Sequence, residues 1–322
     1  MSASESRFIF RGPIDLDTGE VADYEVPLLG VESVRLSGQT QTNKEPLYGQ
    51  DADDTFLTPL SGQKSIQISG SVGFSRMAEL NPTLPRVDAV RKYILQIEAL
   101  VLAQQGIGWE IDDQVRNRIF AGTNPTGEDF AGGFLVEASS WTYDTANNER
   151  LTYTINAKFG AGVQDTTNPE AYISEYLNSL NPGDIEDKIE IVSIVGLNDP
   201  LQVDTYTFSE VSNRRFKRKV NVINTDIIHN TELPVVATLE SGVDATYVFS
   251  GVVYETDTQA FEETIREFDE DIQGKTAIVT DALVGRQLSG TIGNSTTTIE
   301  ASRPNRFTFD IEMDIGANIF IT

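Results

Sequence analysis

The sequence has no cysteine and a single histidine, His229. The first absence removes disulfides, thiolate metal sites and cysteine nucleophiles. The second leaves little room for histidine chemistry. His229 sits in "IIHN", and the sequence contains no G-x-S-x-G elbow and no triad motif to partner it. It reads as a loop or strand-end residue.

Long apolar runs are missing too. The longest, "YILQIEALVLA" (Tyr93 to Ala103), is interrupted by Glu98 and is too short to span a bilayer. The opening "MSASESRFIF" lacks the basic start and apolar core of a secretion signal. No membrane association is expected. "GEDFAGG" and "GSVGFS" lack the lysine and the spacing of a phosphate-binding loop, and no dinucleotide fingerprint occurs. The expectation is a protein that is not an enzyme and needs no cofactor.

Positive charge is scarce. Asp plus Glu number 49 against 24 Lys plus Arg, a net charge of −25, and only 8 of the cations are lysine. Such self-repulsion is tolerated when salt screens it, so the composition fits a halophilic source or an ordinary acidic protein. Bulk nucleic-acid affinity is not expected, because phosphate binding needs a basic surface. Acidic clusters at Asp15–Glu20 and Asp51–Asp54 supply oxygens at short spacing. Neither fits a full calcium loop, and solvated turns are expected there, with no metal.

What is present is a sequence written twice. "NERLTYTINAKFGAG" (Asn148 to Gly162) slides by 156 positions onto "PNRFTFDIEMDIGAN" (Pro304 to Asn318). Arg150 falls on Arg306, Thr152 on Thr308, Ile155 on Ile311 and Gly160 on Gly316. The order before each copy also repeats. "EVPLLGVESVRL" reads as a strand, and 37–62 as a polar loop or extended hairpin arm. "KSIQISGSVGFS" alternates as a half-buried strand. Arg86 to Gln105 carries Val87, Val90, Ile94, Ile97, Leu100 and Val101 at helical spacing, one apolar face, with Gly106 as C-cap. "WEIDDQVRNRIFAG", "GFLVEASSWTYD" and "RLTYTINAKFGAG" are three further strands.

In the second half "DKIEIVSIVGL" and "DTYTFSEVSNRRFKRKVNVINTDI" are strand and arm. "ATYVFSGVVYET" places "FSG" where "ISG" stood. A helix from Asp257 to Gly274 presents Phe261, Ile265, Phe268 and Ile272. "AIVTDALVGRQLSG" matches "WEIDDQVRNRIFAG", and "TIGNSTTTIEAS" precedes the repeated last strand. The division is 1–163, a linker helix over 164–187, and 188–322.

The only dense basic run is "RRFKRK". As a strand it puts Arg215, Lys217 and Lys219 on one face and Arg214, Phe216 and Arg218 on the other. These five cations, with Tyr48 and Phe56 of the first arm, are the candidate subunit-contact residues. Contact with nucleic acid or another anion, and a solvated hairpin paired locally to acids, are the competing readings.

A β-sandwich or flattened barrel with a flanking helix and a polar arm resembles the tail-tube fold of long-tailed viruses, above all the ring-forming domain of distal tail proteins. The resemblance rests on "IQISGSV", the helix over Arg86 to Gln105 and "EASSWTYD" around Trp141. The second copy has Thr297 at the tryptophan position. The implied fold is mainly β with α: two tandem β-sandwich or barrel domains of tail-tube type, each with one helix and one long arm.

The resemblance implies a structural virion protein, made in the host cytoplasm. It would form rings of three or six chains and contact neighbouring tube, hub or tip proteins. Viral DNA would pass through the lumen unbound. An acidic lumen would explain the charge as well as salt adaptation does. The alternative function is a surface- or glycan-binding module, for which "SSWTYD" would supply an aromatic platform.

Overall fold

The computed structural model describes residues 8–14, 25–46, 55–101, 108–114, 118–120, 122–123, 131–145, 149–162, 192–196, 205–208, 210–228, 235–254, 266, 270, 273–299 and 306–315. The first half contains β1 (Phe8–Ile14), β2 (Glu25–Leu28), β3 (Val31–Pro46), β4 (Thr55–Gly73), α1 (Phe74–Glu79), α2 (Arg86–Ala99), β5 (Gly108–Asp113), β6 (Arg118–Phe120), β7 (Gly122–Thr123), β8 (Ala131–Asp144) and β9 (Arg150–Gly162). The second contains β10 (Val192–Gly196), β11 (Thr205–Phe208), β12 (Val211–Ile228), β13 (Val235–Tyr254), β14 (Thr276–Asp281), β15 (Arg286–Ile299) and β16 (Arg306–Ile315). The described chain is mainly β with few helices.

The strands repeat as a topology. The first half runs β2-β1-β5-β8-β9-β4-β3 and the second β11-β10-β14-β15-β16-β13-β12, all antiparallel. Registers repeat as well. Tyr153 pairs with Gly70 as Phe309 pairs with Gly251, and Trp141 pairs with Tyr153 as Thr297 pairs with Phe309. Even the irregularities coincide: a break between Val136 and Ala138 recurs between Ile292 and Asn294, 156 positions on. Another between Val31 and Ser33 recurs between Val211 and Asn213, 180 positions on.

Each order is drawn closed by the segment joining its two ends. In the first half that is the Leu29–Gly30 turn. Gly30 is left-handed at φ 61°, and the Ser71 N–H donates to its carbonyl at 2.9 Å. A Cβ there would lie 2.0 Å from the Ser71 oxygen, so only glycine fits. In the second half the Val252 N–H donates to the Glu210 carbonyl at 3.2 Å in the equivalent position. The sequence reading of Glu25 to Leu36 as one strand is therefore corrected to two strands with a turn. The arm over 37–62 takes its hairpin alternative, with Ser37 opposite Ser65 and Pro46 opposite Thr55.

Three further expectations change. The strand read through Ser75 ends at Gly73, where α1 begins. The helix begins at Arg86 as expected but is not one-faced: Ala89, Val90, Arg91, Tyr93 and every residue from Ile94 to Ala99 are buried. It packs on the first half through Tyr93, whose hydroxyl accepts from the Leu29 N–H at 3.0 Å. It also reaches the second half, through Arg91 Nε to the Ala282 carbonyl at 2.9 Å.

Lastly, "AIVTDALVGRQLSG" is not one strand. It is β14, a turn over Ala282–Gly285 with Gly285 at φ 71°, and the start of β15. The Asp281 carboxylate accepts from the Leu283 N–H at 2.7 Å and holds that turn. The matching position of the first half instead carries β6 and β7. The linker 164–187, Gly106 and the helix from Asp257 to Gly274 lie outside the described residues, except that Arg266 and Glu270 are helical and Gly274 has φ 73°.

The halves share one sheet. Strand β12 pairs with β8 over seven positions, Asn213 opposite Asp144 to Lys219 opposite Ala138. One apolar cluster runs through both halves, from Phe10 and Trp109 to Phe309 and Met313.

Candidate functional site

The β8–β12 junction sets out two faces. Alternation along a strand sends successive side chains to opposite sides. One row reads Gly70–Tyr153–Trp141–Phe216–Tyr247–Met313–Ile292 across β4, β9, β8, β12, β13, β16 and β15. Every side chain in it is buried. The neighbouring row reads Ser69–Thr154–Ser140–Lys217–Thr246–Asp314–Thr291 across the same strands. None of its residues is buried. Seven strands about 4.8 Å apart make this outer face about 29 Å wide.

The outer face is mostly polar, with Val248 of β13 and Ala138 of β8 among its few apolar residues. It carries Ser, Thr, Asn and Gln on β4, β8, β9 and β15, among them Gln67 donating to Asn156 at 3.0 Å. The charges are densest in two stripes. Arg215, Lys217 and Lys219 are exposed along β12, and Asp310, Glu312 and Asp314 run along β16 with only β13 between. Lys158 and Glu137 form an ion pair beside them.

The basic run thus divides as its alternation required, and the buried half has an internal role. Arg214 is completely buried. Its Nε lies 2.8 Å from Asp281 Oδ2, and its Nη1 donates to the Val211 carbonyl at 3.1 Å. Tyr247 donates its hydroxyl to the same carboxylate. Burial pushes the Asp281 carboxyl above its usual 3.8, against the pull of Arg214 and of backbone N–H groups. Arg218 is buried as well. Inside the fold, Arg214 and Arg218 are not on the surface where a contact role would need them. The expected contact surface narrows to Arg215, Lys217 and Lys219.

Of the remaining candidates, Tyr48 lies outside the described residues. Phe56 is in β4 opposite Glu45. His229, Asp15–Glu20 and Asp51–Asp54 also lie outside them. Among the described residues no cluster of three or more His, Asp or Glu could hold a metal, and no helix is long and apolar enough to cross a membrane.

Trp141 is not an exposed platform. It is 1% exposed, stacked on Phe216, and donates its indole N–H to Glu98 Oε1 at 2.8 Å. Sequence reasoning missed Glu98 and Arg91 as interior groups because each sits in a helix that a one-faced pattern would expose.

No protein-family model matches the chain, and no curated protein matches it.

Proposed function

We propose that the chain is a structural, ring-forming subunit of a viral tail, in the tube or at the distal ring, and that its outer sheet face lines the channel. The observation that supports this reading is the repeat of six strand pairings in two halves joined into one sheet. A chain built from two equivalent units with one shared polar face suits a wall that surrounds something. The face bears hydroxyls, amides and carboxylates, and its cations cluster on β12, while Lys158 and Arg150 of β9 are paired with Glu137 and Glu32. A phosphate backbone would slide past it without a continuous basic track to hold it. The two hairpins, β3–β4 and β12–β13, extend well beyond the shared face and offer backbone for contacts between subunits.

The test is electron microscopy of purified protein with class averaging, at about 2 M and about 0.1 M salt, which bracket strong and weak screening. Rings or stacked tubes of threefold or sixfold symmetry at high salt are expected. Dispersed monomers at both concentrations would sink the reading.

A further inference from the structure

Among the described strands, the β8–β12 junction has an unfilled counterpart. Strand β3 stands to β4 as β12 stands to β13, so Ser33–Gln39 correspond to Asn213–Lys219 at a constant offset of 180. Strand β15 stands to β16 as β8 stands to β9, so Asn294–Ile299 correspond to Ala138–Tyr143 at 156. Within the chain, β12 pairs with β8. Among the described strands β3 pairs only with β4, and the 294–299 stretch of β15 pairs only with β16. The chain therefore has two edges that match the two sides of its own internal joint.

Side chains mark the same vacancy. The counterpart of Phe216 is Leu36. Phe216 is completely buried against Trp141, whereas Leu36 is 50% exposed. Among the described residues it is one of two large apolar side chains so exposed, with Leu84. An exposed apolar residue on a long free strand edge invites pairing with another chain.

From this repeat we propose that β3 of one chain pairs antiparallel with β15 of a second copy, in the register of the internal joint. Leu36 then lies opposite Thr297, Val34 opposite Ile299 and Gln39 opposite Asn294. The contact is heterologous, because the two edges differ, so it closes into a ring or propagates. Because it copies the internal joint, junctions within and between chains alternate, so a ring of six equivalent junctions takes three chains. This rests on the reading of the chain as a ring-forming subunit and selects three chains over six.

Absence of cysteine makes the test direct. The double variants L36C/T297C and Q39C/N294C are oxidised under the conditions in which wild-type protein forms rings. The controls are the four single variants and the off-register pair L36C/N294C. In one chain the two strands stand seven steps apart in the sheet order and do not pair, so bands above monomer report a disulfide between two chains. The expected result is a shift of the monomer band to dimer and trimer bands, ending at trimer, for both in-register pairs and for no control. Rings without cross-linking overturn this pairing and leave the ring reading standing. A ladder running past trimer overturns the three-chain closure. Protein that forms neither rings nor cross-links overturns both.

Discussion

The indole of Trp141 and the ring of Phe216 stack with centroids 6.0 Å apart and planes 18° from parallel. Through this pair the core of the first half continues into the second. Truncating either ring opens a cavity at the joint. Trp141→Ala or Phe216→Ala is expected to cost about 3–5 kcal/mol by denaturant titration, and Phe216→Leu less. Loss below about 1 kcal/mol for both would show that β8 and β12 do not depend on the stack.

Opposite behaviour is expected from adjacent cations on β12. Arg214→Ala leaves the Asp281 carboxylate buried without its charge partner and is expected to cost about 3–5 kcal/mol. Replacing Arg215, Lys217 and Lys219 by Ser should change stability by only about 0.5 kcal/mol each, because they are exposed. If these three steer assembly, their loss lowers the association rate seen by light scattering without moving the unfolding midpoint.

The Asp281 carboxyl gives a pH dependence with a defined sign. Its folded-state value is raised by burial, so above the ordinary 3.8 the unfolded chain releases this proton first. From that pH up to the raised value, the folded state holds the extra proton and stability falls as pH increases. The contribution is complete below 3.8. Asp281→Asn removes this slope while lowering stability overall. Urea titrations of both proteins from pH 4 to 7 measure the difference, and parallel curves would refute it.

Arg91 ties the buried helix to the second half. Its guanidinium donates to the Ala282 carbonyl through Nε and Nη2, and pairs with Asp88 at 3.0 Å. Gly285 sits against it at φ 71°, where a Cβ would lie 2.7 Å from Arg91 Cδ. Arg91→Ala is expected to cost about 1.5–3 kcal/mol, the scale of hydrogen bonds to a charged group. Arg91→Lys should recover only part of it, since one ammonium cannot reproduce the fork. Gly285→Ala should destabilise as well. Hydrogen exchange at Leu283 and Gly285 reads the loosening directly.

Glycine and an aromatic ring face each other twice. A Cβ at Gly70 would lie 2.4 Å from the Tyr153 hydroxyl, and one at Gly251 would lie 2.3 Å from the Glu210 carbonyl. Overpacking of this kind costs about 1–3 kcal/mol. Both variants should lose stability, since Gly251 meets the Glu210 carbonyl and Gly70 meets the anchored Tyr153 ring as well as the Gly30 carbonyl at 2.8 Å. Thermal unfolding of the two variants compares them.

Much of the local structure was legible in the sequence. Alternation in "KSIQISGSVG" and "RLTYTINAKFG" has period two and can only be a one-sided strand. The ungapped match at an offset of 156 positions identified the last two strands of each half. The faces of "RRFKRK" followed from the same period. These are properties of neighbours along the chain, and neighbours are what a sequence displays.

The tertiary structure decided which side of each pattern is inside. Arg214 is buried because β12 is flanked by both β13 and β8, and the β8 pairing joins residues far apart in the chain. The helix residues Arg91 and Glu98 are buried because both halves close over a segment whose own pattern would leave them in water. Leu36 is exposed although its counterpart Phe216 is not, because a second strand edge meets one and not the other. Local sequence specified the strands, while pairing between distant strands determined which polar groups are buried with partners and which edge is left open.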